Sequence, residues 1–151
     1  MPASGVRAMK PLSYVSLLMW LLACLCVAAE IEEPAEADWR AIQGVITSQL
    51  DAFKRDDAAA AFSFASPAIQ KMFHTPGDFM QMVRTGYSAV YRPGSVRFLD
   101  HFVVSGHVIQ LLEVVDAEGD VVVAFYIMER QADGTWRIAG CKLEGSSAVS
   151  A

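Results

Sequence analysis

The chain has 151 residues, 12 of them Lys or Arg and 17 Asp or Glu, for a formal net charge of −5. The bases are scattered rather than clustered, which excludes the basic patch that nucleic-acid binding requires, so no nucleic acid is expected as a partner. The length suits one domain.

The N-terminal 29 residues read as a signal peptide. Arg7 and Lys10 form a basic start, the run "LSYVSLLMWLLACLCV" carries no charge, and Val27-Ala28-Ala29 supplies small residues for cleavage after Ala29. Two alternatives stand beside cleavage: Leu21-Leu22-Ala23-Cys24 fits a loose lipobox in which Cys24 is lipidated, and an uncleaved segment would act as a membrane anchor. All three export the rest of the chain, to the periplasm or beyond; a membrane association is expected only if the segment is retained or Cys24 carries a lipid. Cleavage removes two bases and no acids, leaving 122 residues and moving the formal charge from −5 to −7. Cys24 and Cys26 leave as well, and the one remaining cysteine, Cys141, has no internal partner for a disulfide.

Residues 30–38, "EIEEPAEAD", hold five acids, no base and a proline, the composition of a solvated, disordered leader. A single α+β domain is then expected over 39–145, followed by a flexible tail, 146–151. Trp39, Ile42, Ile46, Leu50 and Phe53 recur at helical spacing behind Asp38 as N-cap, which predicts a helix over 39–55. Asp57 caps a shorter alanine-rich helix carrying Phe62 and Phe64, ended by Ser66-Pro67, and Pro67 opens a short helical turn through Phe73. Thr75, Pro76 and Asp78 start a further helix whose inner face is Phe79, Val83, Tyr87 and Val90 or Tyr91, stopped by Pro93-Gly94.

Four runs rich in Val, Ile, Phe and Tyr follow, at about 95–104, 108–115, 121–131 and 135–143, separated by Ser105-Gly106, "DAEGD" and "QADGT". They form an antiparallel meander. Turns of this type pair Asp116 with Asp120 and Gln131 with Thr135. Continued without interruption, that register sets Gln110, Tyr126 and Gly140 in one cross-strand row, with His101 joining it, and Asp100, Leu111, Phe125 and Cys141 in the next; Glu129 faces Arg137. Cys141 and His101 then lie on opposite sides of the sheet.

The order of helices and meander, with "LDAFKRDDAAAAFSFASP" at 50–67 and "DGTWRIAGCKLEG" at 133–145, resembles the nuclear-transport-factor-two-like superfamily of cone-shaped α+β domains. More narrowly, "FASPAIQKMFHTPGDFMQMVRTGYSAVYRP" with "TWRIAGC" is similar to a bacterial exported family of unknown function. The resemblance spans about residues 39–145 and implies three or so N-terminal helices packed on a four-stranded antiparallel sheet around a cone. Superfamily isomerases and cyclases use a pocket Asp or His, but their full residue set is absent here. The strand that such domains often carry between the second and third helices is not evident in "AIQKMFHT".

Candidate site residues follow from polarity set among apolar neighbours. Asp100 alternates with Phe98 and Phe102, so an apolar setting would make it a general base with Glu113 diagonal to it; the competing reading puts Asp100 at a local backbone bond or a bulge. His101, Gln110 and Tyr126 form a polar row within an apolar sheet and are the candidate ligand contacts, against satisfied polar groups at an interface. The three histidines lack metal-ligand spacing, and there is no Gly-rich phosphate loop or nucleophile elbow, so neither metal nor cofactor is expected. Cys141 reads as an inert core thiol.

Two functional classes remain: a noncatalytic exported module that binds a small apolar ligand or an envelope protein in the cone, and a small lyase, isomerase or hydrolase built on Asp100. Enzyme status stays open, with the weight on the first. Both sheet faces are apolar: one carries Phe98, Phe102, Ile109, Leu111, Val123, Phe125, Ile127 and Leu143, the other Leu99, Val103, Val108, Leu112, Val122, Tyr126, Met128, Trp136 and Ile138. Helices cover only one of them, so a homodimer through the other is expected.

Overall fold

The first helix begins earlier than its apolar stripe suggests. The computed structural model describes residues 33–145, so the signal segment, Cys24 and the tail lie outside the described residues. Helix α1 runs Glu36–Lys54 with Ala35 as N-cap. Asp38 is not the cap: it sits inside the first turn, and its carboxylate accepts from the Ala35 N–H at 3.0 Å. Glu36 and Asp38, expected in the acidic leader, thus belong to that turn, where they complement the positive end of the helix. The stripe Trp39, Ile42, Ile46, Leu50 and Phe53 is buried throughout.

Three side-chain caps punctuate the next segment, those of Asp57 and Thr75 as the sequence predicts and that of Ser66 in addition to its place at the end of the alanine-rich helix. The Asp57 carboxylate accepts from Ala60 N–H to start α2 (Ala58–Ser63), the Ser66 hydroxyl accepts from Ile69 N–H to start α3 (Pro67–Phe73), and the Thr75 hydroxyl accepts from Asp78 N–H to start α4 (Pro76–Gly86). The long helix expected to reach Val90 or Tyr91 instead breaks at Tyr87, whose φ of −136° leaves the helical region, and resumes as the single turn α5, Ser88–Tyr91. Gly86 and Ser88 flank the break, and both are weak helix formers. An ionic clamp ties these pieces together. Asp56, at positive φ, accepts from the Tyr91 hydroxyl and from the guanidiniums of Arg84 and Arg92. The Tyr91 hydroxyl first, then the two guanidiniums, hold the Asp56 carboxyl below its ordinary range.

The strands β1 (Ser95–Val104), β2 (His107–Val115), β3 (Val121–Arg130) and β4 (Trp136–Gly145) form an antiparallel sheet in the order β1-β2-β3-β4. Ser105 and Gly106 both have positive φ, as a two-residue hairpin turn requires. The two longer turns close with Asp116 N–H bonding the Asp120 carbonyl at 2.9 Å and Gln131 N–H bonding the Thr135 carbonyl at 2.8 Å, the pairings expected. Gly119 and Gly134 occupy the left-handed position in each, at φ of 92° and 84°.

Two bulges change the register that uninterrupted alternation predicts. In β1, Leu99 and Asp100 together oppose Leu111, because Phe98 pairs with Leu112 and His101 with Gln110. In β4, Ala139 is the extra residue, so Cys141 pairs with Tyr126, Gly140 with Ile127 and Lys142 with Phe125. Each bulge moves residues to the opposite face. Phe98 and Leu143, expected on the uncovered face, pack against the core, and Cys141 joins the row of His101, Gln110 and Tyr126 rather than that of Leu111 and Phe125. Glu129 faces Arg137 as predicted.

Gln110 is the side chain that makes the first bulge tolerable. It is fully buried, its Nε2 lies 3.0, 3.3 and 2.9 Å from the carbonyl oxygens of Leu99, Asp100 and Leu111, and its Oε1 accepts from Gln43 at 3.3 Å. Carbonyls freed by the irregular register therefore find a donor inside the protein. The helices pack on this side of the sheet, α1 being fastened at one end by the Trp136 indole N–H donating to Asp38 at 3.1 Å. The result is an α+β domain with helices on one face of an open four-stranded antiparallel sheet, consistent with a cone-like nuclear-transport-factor-two-type fold. Among the described residues no helix is long and apolar enough to cross a membrane.

Replacing Gln110 by Leu keeps the volume and removes the donor. It should lower unfolding free energy by about 1–3 kcal/mol, the cost of leaving buried polar groups unpaired, and urea titration checks it; an unchanged midpoint would show that the bulge carbonyls are satisfied by water instead.

Candidate functional site

The helices do not close fully on the sheet. Ser66 N–H donates to the Ile138 carbonyl at 2.8 Å and Ile138 N–H to the Phe64 carbonyl at 2.9 Å, so the α2–α3 connection is hooked onto β4 at one point. Beyond that hook α3 and α4 stand away from β3 and β4 and leave a cavity of about 380 Å³. This is near the low end of the roughly 300–1,000 Å³ typical of small-molecule sites. Between α2 and α3 the chain makes only a single parallel bridge to the sheet, Ala65 with Ile138, and "AIQKMFHT" contributes to α3 rather than to a strand.

The walls are apolar. Phe53 of α1, Ile69, Met72 and Phe73 of α3, Phe79, Met82 and Val83 of α4, with Tyr87 and Val90, line the helical side, and Tyr126, Ile138, Gly140 and Cys141 line the sheet side. Phe79 anchors the wall, its ring lying 6.3, 5.3 and 5.7 Å from those of Phe53, Phe62 and Phe73. Met72 is 68% exposed and marks the mouth. Among the described residues no Asp, Glu, Lys, Arg or His lines the cavity.

Four lining residues carry polar side-chain groups, Gln49, Tyr87, Tyr126 and Cys141, and of these Gln49 and Tyr126 are buried. Gln49 of α1 is 3% exposed and donates through Nε2 to the Ala61 carbonyl at 3.1 Å. Tyr126 is 1% exposed and pairs across the sheet with Cys141, whose thiol neighbours its hydroxyl. Burial, then the neighbouring thiol, hold the Tyr126 phenol well above its ordinary range, while burial pushes the Cys141 thiol from 9.0 to about 12, the Tyr126 hydrogen bond drawing it down only in part. Both groups are therefore neutral over the physiological range.

The expected site residues are not brought together. Asp100 is exposed on the β1 bulge, and its carbonyl, not its carboxylate, is what Gln110 engages, so the carboxylate lacks the burial that would make it a general base. Glu113 sits opposite Arg97 and binds it through both carboxylate oxygens, at 3.2 and 2.9 Å. His101 stacks on Trp39 with ring centroids 3.9 Å apart, outside the cavity. Gln110 serves the bulge. Of the five candidates only Tyr126 lines the cavity, and the residue that sequence reasoning passed over is Gln49. Its signal was available: it follows Ile46 by three positions, so a polar amide lies on the buried stripe of α1. Among the described residues no cluster of His, Cys, Asp or Glu is arranged to hold a metal ion.

Residues 35–151 match the family described as Domain of unknown function (DUF4864), and the chain belongs to that family. No curated protein and no solved structure matches the chain.

The thiol's surroundings set its behaviour. Cys141 is only partly buried, on the cavity wall, but its raised pKa keeps the thiol protonated, so native protein should react with a thiol reagent more slowly than unfolded protein at neutral pH, and Cys141→Ala should cost on the order of 1 kcal/mol. Because the folded thiol titrates higher than the unfolded one, folding favours the protonated form. Stability from this group is complete below 9.0 and is lost as pH rises through about 12. Across that window the Cys141→Ala variant should lose less stability than the parent; parallel stability curves over the same range would show that the thiol is not shielded.

Proposed function

We propose that this is an exported, noncatalytic domain that binds a small apolar molecule between helices and sheet and pairs with a second copy through the other sheet face. The observation that carries the binding reading is the cavity itself: apolar walls, an open mouth at Met72, and no ionised group to move a proton or stabilise a charged transition state. Export rests on the order of basic, apolar and small residues in 1–29, with cleavage after Ala29, and the order of elements supports membership of the bacterial, nuclear-transport-factor-two-like group.

A native mass spectrum of protein recovered from the envelope of the producing cell tests export and binding together. It should show a chain that begins at Glu30 and carries a small molecule released on denaturation. A chain still beginning at Met1, or a lipid on Cys24, overturns cleavage. A ligand-free spectrum, together with no uptake of a neutral apolar dye, overturns binding.

The pairing reading rests on the face away from the helices. Phe102, Ile109, Leu111, Val121, Val123, Phe125 and Ile127 alternate onto it, and no helix covers them. Val123 is only 5% exposed yet lies outside the core cluster, so its neighbours on this face already bury it. Around these residues stand Arg97, Arg137 and Lys142 with Glu113, Glu129 and Glu144, cations and anions in equal number, joined as Arg97–Glu113 and Lys142–Glu144 ion pairs with Glu129 opposite Arg137. A charge-balanced rim around an apolar centre suits a copy of itself across a two-fold axis better than it suits a partner of one sign. Phe125→Asp, in the middle of this face, should give monomers or aggregates where the parent scatters light as a dimer. A parent that is a well-behaved monomer at tens of micromolar overturns the pairing.

A further inference from the structure

The cavity has an unbalanced set of hydrogen-bonding atoms. Gln49 spends its amide N–H on the Ala61 carbonyl, and among the described residues nothing donates to its Oε1. That oxygen is not sealed in protein, since no buried side-chain nitrogen or oxygen among the described residues lies enclosed without a partner. It therefore meets open space, and the space beside Gln49 is the cavity. Among the described residues the Tyr126 hydroxyl bonds no nitrogen or oxygen; its neighbour is the Cys141 sulfur, a weak acceptor, so its proton is available to a better one. Two oxygens thus stand in one apolar chamber, one an acceptor with nothing donating to it and the other a hydroxyl able to accept and to donate.

Each class of ligand meets those oxygens differently. A carboxylate would bring more acceptors and a charge, with no Lys, Arg or His on the walls to offset it. An ammonium would donate, but no Asp or Glu lines the cavity to compensate it. A bare hydrocarbon would fill the volume and leave both oxygens unpaired. A hydroxyl donates one proton, accepts one, and carries no charge. We infer that the cavity selects a neutral, single-chain or small-ring molecule bearing one hydroxyl, the hydroxyl donating to Gln49 Oε1 and accepting from Tyr126, with the apolar body against Phe79, Val83 and Ile138 and directed toward Met72. The high titration range of Tyr126 and Cys141 keeps both as neutral donors beside it.

This inference rests on the binding reading above, and one titration separates the two. N-phenyl-1-naphthylamine, a neutral apolar dye, is bound to the full mature chain and displaced by dodecanol, dodecanoate or dodecane at neutral pH. Dye that never binds overturns the binding reading itself. Dye that binds and is displaced by dodecanol at a concentration about ten-fold below that needed for dodecanoate supports the hydroxyl selection. Displacement by dodecanoate or dodecane at least as readily as by dodecanol overturns it and leaves the binding reading standing. Tyr126→Phe and Gln49→Leu, each shown to be folded by circular dichroism, should weaken dodecanol about three- to ten-fold while leaving dodecane and dye unchanged. Variants that weaken all the ligands equally, or none, would show that the two oxygens are served by water and play no part in selection.

Discussion

The pair of backbone hydrogen bonds between Ile138 and the Phe64–Ser66 segment is the contact on which the rest of the domain depends. β4 is an edge strand, and an edge presents N–H and C=O groups that must be satisfied by something. Here one turn of chain is spent on a single residue of that edge, and the caps at Ser66 and Thr75 then send α3 and α4 off at their own angles. Had the segment continued alongside β4 as a fifth strand, it would have covered the edge and filled the space next to it. Because it leaves after one bridge, Gly140 and Cys141 become wall rather than interior, and the gap under α3 and α4 persists.

The bulges divide the labour between the two sheet faces. Without the extra residue at Ala139, Cys141 and Leu143 would point outward and Lys142 inward, placing an ammonium against the helices. Without the extra residue in Leu99–Asp100, Arg97 would take the inward position that Phe98 fills. Two single-residue irregularities thus keep the helix-facing side apolar and return charge to the rim of the other. The first is stabilised by Gln110, which explains why so polar a side chain lies at full burial in the centre of the sheet. The polar row of His101, Gln110 and Tyr126 is, in consequence, three separate arrangements: a ring stacked on Trp39, an amide serving a bulge, and a phenol at the cavity wall.

Much of this could be read from the sequence where the code is local. Asp57 and Thr75 announce helix starts because a side-chain oxygen near a free N–H is a short-range interaction, and the two turns with Gly119 and Gly134 fix their hairpins for the same reason. The bulges were not legible in the same way, since an extra residue in a run of Val, Ile and Leu leaves the composition unchanged and alters only which face each side chain takes. The break at Tyr87 was hidden by an apolar pattern that both halves of the helix share. The candidate site suffered most, because it was inferred from alternation: Asp100 lies exposed on one bulge, and the other brought Cys141 to Tyr126. Gln49 needed no register at all, only attention to an amide on a buried helical stripe.

Charge placement limits what the cavity can do. The acidic side chains of the described residues that have strong partners lie at the periphery: Asp38 with Trp136 and Arg130, Asp56 with Tyr91, Arg84 and Arg92, Glu113 with Arg97. Each fastens one element to another in contact with water, where an ion pair costs little to maintain and contributes orientation more than free energy. The interior is left to groups that stay uncharged, so a bound molecule would encounter shape, apolar contact and a few hydrogen-bonding atoms held in fixed positions. General acid–base chemistry needs a proton donor or acceptor poised near neutrality, and the cavity's phenol and thiol are both driven away from it by burial. The same desolvation that makes Cys141 a poor nucleophile keeps the Tyr126 phenol neutral, so the chemistry left to this wall is hydrogen bonding rather than proton transfer.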